Sequence, residues 1–137
     1  MEIPQIDRSN YLKGLLITAR KDNRLSETEK SIIKKLASRL GFSSDFFEET
    51  ISNLLYNKYI SEEPIKFSDK TIAKSFIEDA LKLALADNLI TENEIFWLKQ
   101  TTKENGISEE WFNKKLKEYK NKPHLMGKFE FALYSLI

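Results

Sequence analysis

The chain contains an internal repeat, in which residues 15–50 and 80–115 align without a gap at a constant offset of 65 residues. The clearest block pairs residues 22–29, with the sequence DNRLSETE, and residues 87–94, with the sequence DNLITENE. Repetition at a fixed spacing constrains the architecture, because each copy encodes the same supersecondary unit. We therefore expect two copies of one unit, packed against each other about a pseudo-two-fold axis.

Apolar side chains recur at helical spacing along both copies, which is typical of amphipathic helices. We predict helices at about residues 8–22, 27–41, 44–58, 69–88, 92–105 and 109–120. Residues after Pro123 fit either a helix or, at residues 128–131, an alternating strand. We predict helix, because a lone strand would have no partner in a helical chain.

The fold class that follows is all-α, as a single-domain bundle of about six to seven helices built from two pseudo-two-fold-related three-helix repeats. The predicted boundaries are repeat one at about 8–60, a linker at 61–67, repeat two at about 68–122 and a C-terminal segment at 123–137. The length of 137 residues fits one compact domain.

Each copy carries a signal for the start of its second helix. Ser26-x-x-Glu29 and Thr91-x-x-Glu94 match the capping box, in which a hydroxyl and a glutamate each accept an amide proton at the helix start. Both copies are therefore expected to begin their second helix at the same place.

Each copy also carries a signal for the end of that helix. Gly41 and Gly106 can adopt the left-handed conformation that ends a helix, and an apolar residue follows each of them. Ser43 and Ser108 are then expected to cap the third helix of each copy.

Carboxylates at the two helix junctions are the candidate functional residues. Asp22, Glu29, Asp87 and Glu94 could share a hard divalent cation such as calcium, magnesium, manganese or zinc if the two turns lie near each other. Neither turn is an EF-hand, because the glycine position holds glutamate and the twelfth position is apolar in both. Turn formation and capping explain the same residues without a metal. Residues 20–21 place two cations beside Asp22, so the second copy is the better candidate.

Residues 19–29 and 84–94 resemble the tellurite-resistance TerB-like family, whose hallmark is A-x-A-D-G-x-[IL]-[ST]-x-x-E, often in two copies. The resemblance covers about residues 8–120. It implies an all-helical pseudo-symmetric fold and a non-enzymatic role in stress response, with proposed metal binding at the four carboxylates and scaffolding of partners. Asn23 and Asn88 replace the family's glycine, and asparagine also tolerates a left-handed turn.

Two other classes of function remain open. Lysines cluster on the predicted sixth helix, which could bind nucleic acid or an acidic partner, or could form a solvated helix face. They are Lys114, Lys115, Lys117, Lys120 and Lys122. Because the net charge is only +1, an acidic protein is a better expected partner for these lysines than nucleic acid.

A small enzyme that uses paired carboxylates as acid and base is the third class of function. The only histidine, His124, is expected to be a partly exposed loop or cap residue, and we predict no catalytic residue.

The aromatic residues divide into a predicted core and a predicted surface. Phe46, Phe47, Trp111 and Phe112 occupy equivalent places in the two copies, and we expect all four in the core. Candidates for an exposed patch that a partner binds are Phe42, Tyr56, Tyr59, Phe96 and Tyr119.

Composition restricts the setting of the chain. It has no cysteine, which excludes disulfides and thiolate chemistry. No apolar run reaches the ~20 residues of a membrane helix, and the first residues lack a signal-peptide pattern. We expect a cytoplasmic protein that has a protein partner, no certain cofactor and no membrane insertion. The sequence does not determine the oligomeric state.

Overall fold

The computed structural model describes residues 1–20, 25–56, 63–86, 90–121 and 131–137. These residues form seven helices and no strand, which confirms the all-α helical bundle. The helices are α1 (Gln5–Arg20), α2 (Glu27–Arg39), α3 (Ser44–Tyr56), α4 (Lys70–Leu85), α5 (Glu92–Glu104), α6 (Glu109–Lys120) and α7 (Leu133–Leu136).

The helix boundaries agree closely with the predicted ones. The α1 helix begins three residues earlier than predicted, because the Pro4 carbonyl already accepts the Arg8 amide at 3.0 Å. Asp69 caps α4 by accepting the Thr71 amide at 2.6 Å. Most of the predicted C-terminal helix lies outside the described residues, and the part described there contains only α7.

The two halves have matching helices. Both α1 and α4 have 16 residues, and both α2 and α5 have 13. In each half all three helices contact one another, and α1 packs along α4. The helix lengths and contacts follow the predicted helix order, and the relation of the two halves as structural repeats stays a prediction.

The turns that end α2 and α5 are the predicted Schellman motifs. Gly41 and Gly106 have φ values of +95° and +69°. The Phe42 amide donates to the Ala37 carbonyl and the Gly41 amide donates to the Ser38 carbonyl, both at 3.0 Å. The same pair of bonds surrounds Gly106. Both copies of the sequence signal for a helix end therefore form the same glycine turn.

The contact between α1 and α4 is built around buried aromatic rings. Tyr11 and Phe76 meet edge to face with centroids 5.5 Å apart, and Phe67 and Trp97 pack around Phe76 at 5.2 and 6.2 Å. Gly14 on α1 makes room for the Phe76 ring, because a Cβ atom at this position would lie 2.4 Å from Phe76 Cζ.

Two contacts between α1 and α4 correspond to each other when 65 positions, the offset between the copies, separate the residues compared. Gly14 contacts Phe76, and the residues 65 positions away from them, Asp79 and Tyr11, share a hydrogen bond. Reciprocal contacts of this kind are what a two-fold relation between units produces. The pseudo-two-fold axis itself stays a prediction.

Buried polar side chains hold the linker between the copies. Asn105 donates to the Ile65 carbonyl at 2.7 Å and accepts the Phe67 amide at 2.8 Å. The buried Asp7 carboxylate accepts the Ser68 amide at 3.0 Å and also the Ser68 hydroxyl. The described part of the linker is therefore attached to the C-terminal end of α5, and Ser68, the residue directly after it, is attached to α1.

The prediction that four paired aromatic residues lie in the core is right for Phe47 and Phe112, which are buried. It is wrong for Phe46, whose side chain is 46% exposed, and Trp111 is only half-buried. Successive residues on a helix point about 100° apart, so only one of two adjacent aromatic residues can face the core squarely.

None of the described helices has the length and the apolar character needed to cross a bilayer.

Candidate functional site

Both predicted capping boxes are present. The Ser26 hydroxyl accepts the Glu29 amide at 3.1 Å, and Glu29 Oε1 accepts the Ser26 amide at 3.3 Å. In the second copy the corresponding two bonds between Thr91 and Glu94 are both 3.1 Å. Each glutamate therefore folds back onto its own helix start.

The predicted cation ligands are described only in part. Glu29 and Glu94 are 5% and 4% exposed, and Asp22 and Asp87 lie outside the described residues. Within the described ranges, no group of three or more His, Cys, Asp or Glu side chains is arranged to hold a metal ion. Capping accounts for the two glutamates, and the divalent-cation site remains a prediction.

The predicted lysine face is split by an ion pair. Lys115 turns toward α4, where its Nζ atom lies 3.0 Å from Glu78 Oε1. Tyr119 donates to the same oxygen at 2.8 Å, and burial together with Glu78 raises the pKa of Tyr119 well above its usual range. The lysines that are described and exposed are Lys114, Lys117 and Lys120. Both Lys122 and His124 lie outside the described residues.

A buried polar network that the sequence reasoning missed lies between α1, α4 and α7. Asp79 is fully buried and accepts the Tyr11 hydroxyl. Its Oδ1 accepts the Ala132 amide at 2.6 Å and its Oδ2 accepts the Leu133 amide at 3.1 Å. Tyr11 and Ser75 share a further hydrogen bond of 2.8 Å. A signal existed in the sequence, because Asp79 stands on the same stripe as the apolar residues of α4.

The buried surroundings of this network shift the pKa values of Asp79 and Tyr11. Burial raises the pKa of Asp79 to about 6, although its hydrogen bonds and nearby Lys82 act in the opposite direction. Burial and the adjacent Asp79 raise the pKa of Tyr11 well above its usual value. Desolvation penalises the charged form, and here it is the largest effect.

The half-buried Phe42 and the exposed Phe46 border a small groove between α1 and α3. Phe42 and Phe46 stack with centroids 5.1 Å apart and ring planes 16° apart. The groove has a volume of about 90 Å³. We call it the aromatic groove, and its lining residues are Ser9, Leu12, Lys13, Leu16, Phe42, Phe46 and Thr50. The sequence singled out Phe42 as a candidate surface residue but placed Phe46 in the core.

Two of the other candidate surface aromatics are described. Phe96 on α5 is 65% exposed, and Tyr119 is half-buried. The side chains of Tyr56 and Tyr59 lie outside the described part of the chain. Phe96 therefore provides a natural comparison for Phe46.

A larger and more polar cleft of about 600 Å³ runs between α2 and residues 131–137. Its lining residues are Glu27, Thr28, Ser31, Ile32, Lys35, Phe131 and Tyr134. The Arg39 guanidinium lies 5.2 Å from the centre of the Tyr134 ring, which links the far end of α2 to α7.

No protein-family model, curated protein or solved structure matches the chain. The resemblance to the TerB-like family therefore rests on the repeated motif alone.

Proposed function

We propose that the chain is a TerB-like helical interaction module that binds a partner protein through the aromatic groove. The observation that carries the proposal is the stacked pair of Phe42 and Phe46, the latter 46% exposed, beside an apolar recess. Exposed apolar patches on a folded protein commonly mark interaction sites, and aromatic residues are enriched in the centres of protein interfaces.

The size and charge of the groove indicate what kind of partner it suits. Drug-sized ligands need cavities of about 300 Å³ or more, so a groove of about 90 Å³ suits one apolar side chain of a larger molecule. Lys13 lies in the lining and is exposed. An acidic residue next to the apolar anchor would therefore fit the partner to this surface.

The structural roles of the buried polar groups also support the proposal of an interaction module. Glu29 and Glu94 cap their helices, and Asp7 and Asn105 hold the linker. Each of these groups has a structural task that explains its burial. The association with stress response and the cytoplasmic location come from the resemblance and from composition alone.

Site-specific photocrosslinking tests the proposal. A photoreactive phenylalanine analogue replaces Phe46 in one variant and Phe96 in a matched control. Cells of the source organism that produce either variant are then irradiated. Both positions are exposed aromatic residues, but only Phe46 lines the groove. We expect a discrete crosslinked protein from position 46 that is absent from position 96 and disappears when Lys13→Glu reverses the charge of the exposed lysine in the groove lining.

Two results would overturn the proposal. One is the same set of crosslinks from both positions, which would mean that exposure alone determines capture. The other is a discrete adduct that survives Lys13→Glu in a variant whose circular dichroism shows that it is still folded, because the groove would then not be the binding surface.

A further inference from the structure

Residues 131–137, which we call the strap, depend on the rest of the molecule for their position. Their helix, α7, has only four residues, and a helix of that length is not stable by itself. Phe131 and Leu133 are buried in the core, and α7 packs against α4. The strap is thus held by tertiary contacts and not by its own helical propensity.

Asp79 supplies the cap that the strap lacks. The first amides of a helix have no partner within it, and α7 has no capping side chain of its own. The amides of Ala132 and Leu133 instead donate to the Asp79 carboxylate at 2.6 and 3.1 Å. One side chain from the middle of α4 therefore fixes the start of the strap.

The same contact has an energetic cost. Asp79 is fully buried, and removing an ionised carboxylate from water is unfavourable. The charged and titratable groups around it are Tyr11 on α1, Glu78 and Lys82 on α4, and Tyr119 on α6. Of these, Lys82 favours the ionised form, but burial outweighs it and raises the pKa of Asp79 to about 6.

We propose that the strap is a detachable element with Asp79 as its latch, so that a protonated Asp79 keeps the strap closed and an ionised Asp79 favours its release. Proton balance permits the closed form. A protonated carboxyl can donate its proton to the Tyr11 oxygen, and Tyr11 then donates to Ser75, with which it already shares a hydrogen bond. Both strap amides keep an acceptor.

The direction of the pH effect follows from linkage. In the open form water reaches the carboxylate, and its pKa returns toward the ordinary value of 3.8. The closed form is therefore fully favoured below that value and loses this advantage as the pH rises through about 6. A rise in pKa from 3.8 to about 6 corresponds to a change in the opening equilibrium of about 100-fold at most.

Opening of the strap changes the cleft along α2. Phe131 and Tyr134 form one wall of that cleft, and the ring of Tyr134, the titratable side chain of the strap, also contacts the Arg39 guanidinium. Release removes this wall and exposes the apolar surface that Phe131 and Leu133 cover. Protonation of the buried Asp79 carboxylate thus controls the shape of the cleft through the position of the strap.

Hydrogen exchange measured by mass spectrometry between pH 5 and 8 tests the latch. After correction for the intrinsic exchange rate, protection of residues 131–137 should fall about 10-fold over this pH range in the native chain, as the pKa values of 3.8 and about 6 require, and less than about twofold in Asp79→Asn. A peptide that contains the Gly106 turn serves as the internal control. Strap protection that is independent of pH in the native chain, or equally dependent in Asp79→Asn, overturns the proposal.

A second variant covers the case in which Asp79→Asn does not fold. Ala132 has φ of −59°, which fits proline, so Ala132→Pro removes one amide from the latch while leaving Asp79 in place. We expect strap protection to fall about 5- to 30-fold at pH 5, with the remaining helices unchanged. Unchanged protection of the strap in Ala132→Pro would also overturn the proposal.

Discussion

Gly14 is buried where α1 crosses α4, and its replacement by alanine tests the packing at the centre of the molecule. An added Cβ atom would lie 2.4 Å from Phe76 Cζ, 2.5 Å from Phe76 Cε1 and 3.2 Å from Ile65 Cδ1. The Phe76 ring has little freedom to move away, because Tyr11 and Trp97 pack against it edge to face at 5.5 and 6.2 Å. The two helices must therefore move apart.

The sign of the effect on stability distinguishes this packing from a simple helical glycine. Replacing an exposed glycine inside a helix with alanine stabilises a protein by about 1 kcal/mol. Overpacking of a core costs about 1–3 kcal/mol, and a contact far below van der Waals distance puts Gly14→Ala at the upper end. We expect a net loss of about 1–2 kcal/mol in the free energy of unfolding, or roughly 4–8 °C in Tm.

Chemical denaturation of four proteins measures this effect: the native chain, Gly14→Ala, Phe76→Leu and the double variant. Phe76→Leu opens space beside position 14, so the loss from Gly14→Ala should shrink by at least 1 kcal/mol in the Phe76→Leu background. If Gly14→Ala instead stabilises the chain by about 1 kcal/mol and shows no coupling to Phe76→Leu, the reasoning about the α1–α4 contact is refuted.

Four further predictions concern the caps, the cation site, the linker and the buried acid. Glu94→Gln can retain the capping box and should cost less than about 0.5 kcal/mol, whereas Glu94→Ala should cost about 1 kcal/mol; equal losses would contradict the capping role. Calorimetric titration with calcium, magnesium, manganese and zinc tests the cation site, which predicts heat with the native chain and none with Glu94→Gln; no heat with the native chain removes that hypothesis. Asn105→Ala leaves the Phe67 amide and the Ile65 carbonyl without the side chain that binds them and should cost about 2–3 kcal/mol in urea denaturation; a loss below about 1 kcal/mol would argue against the linker contact. Because the pKa of Asp79 is raised to about 6, the free energy of unfolding should fall by up to about 3 kcal/mol between pH 4 and 8 relative to Asp79→Asn; parallel pH profiles of the two proteins would show that Asp79 does not titrate as described.

The features that the sequence predicted well are those that depend on neighbouring residues. The capping boxes at Ser26 and Thr91 and the left-handed turns at Gly41 and Gly106 each involve residues within a few positions of one another. Such local chemistry can be recognised from spacing alone. For this reason the helix starts at Glu27 and Glu92 match the predicted ones.

The features that the sequence did not predict depend on contacts between the copies. Asp79 binds Tyr11 across 68 positions, and the corresponding residues in the other copy are Phe76 and Gly14. All four positions lie just before the aligned windows 15–50 and 80–115, so the repeat carried no signal for this contact. Phe46 is a different case, since pattern alone could not decide whether it or Phe47 faces the core.

The affinity of the protein captured at position 46 shows directly whether the aromatic groove binds the partner. Isothermal titration of that partner with the native chain, Phe46→Ala and Phe96→Ala compares two exposed aromatic residues, of which only Phe46 lines the aromatic groove. Truncation of a central aromatic contact typically costs about 2 kcal/mol or more. We expect Kd to rise about 30-fold for Phe46→Ala and less than about twofold for Phe96→Ala. Equal Kd values for the native chain and Phe46→Ala would contradict this expectation.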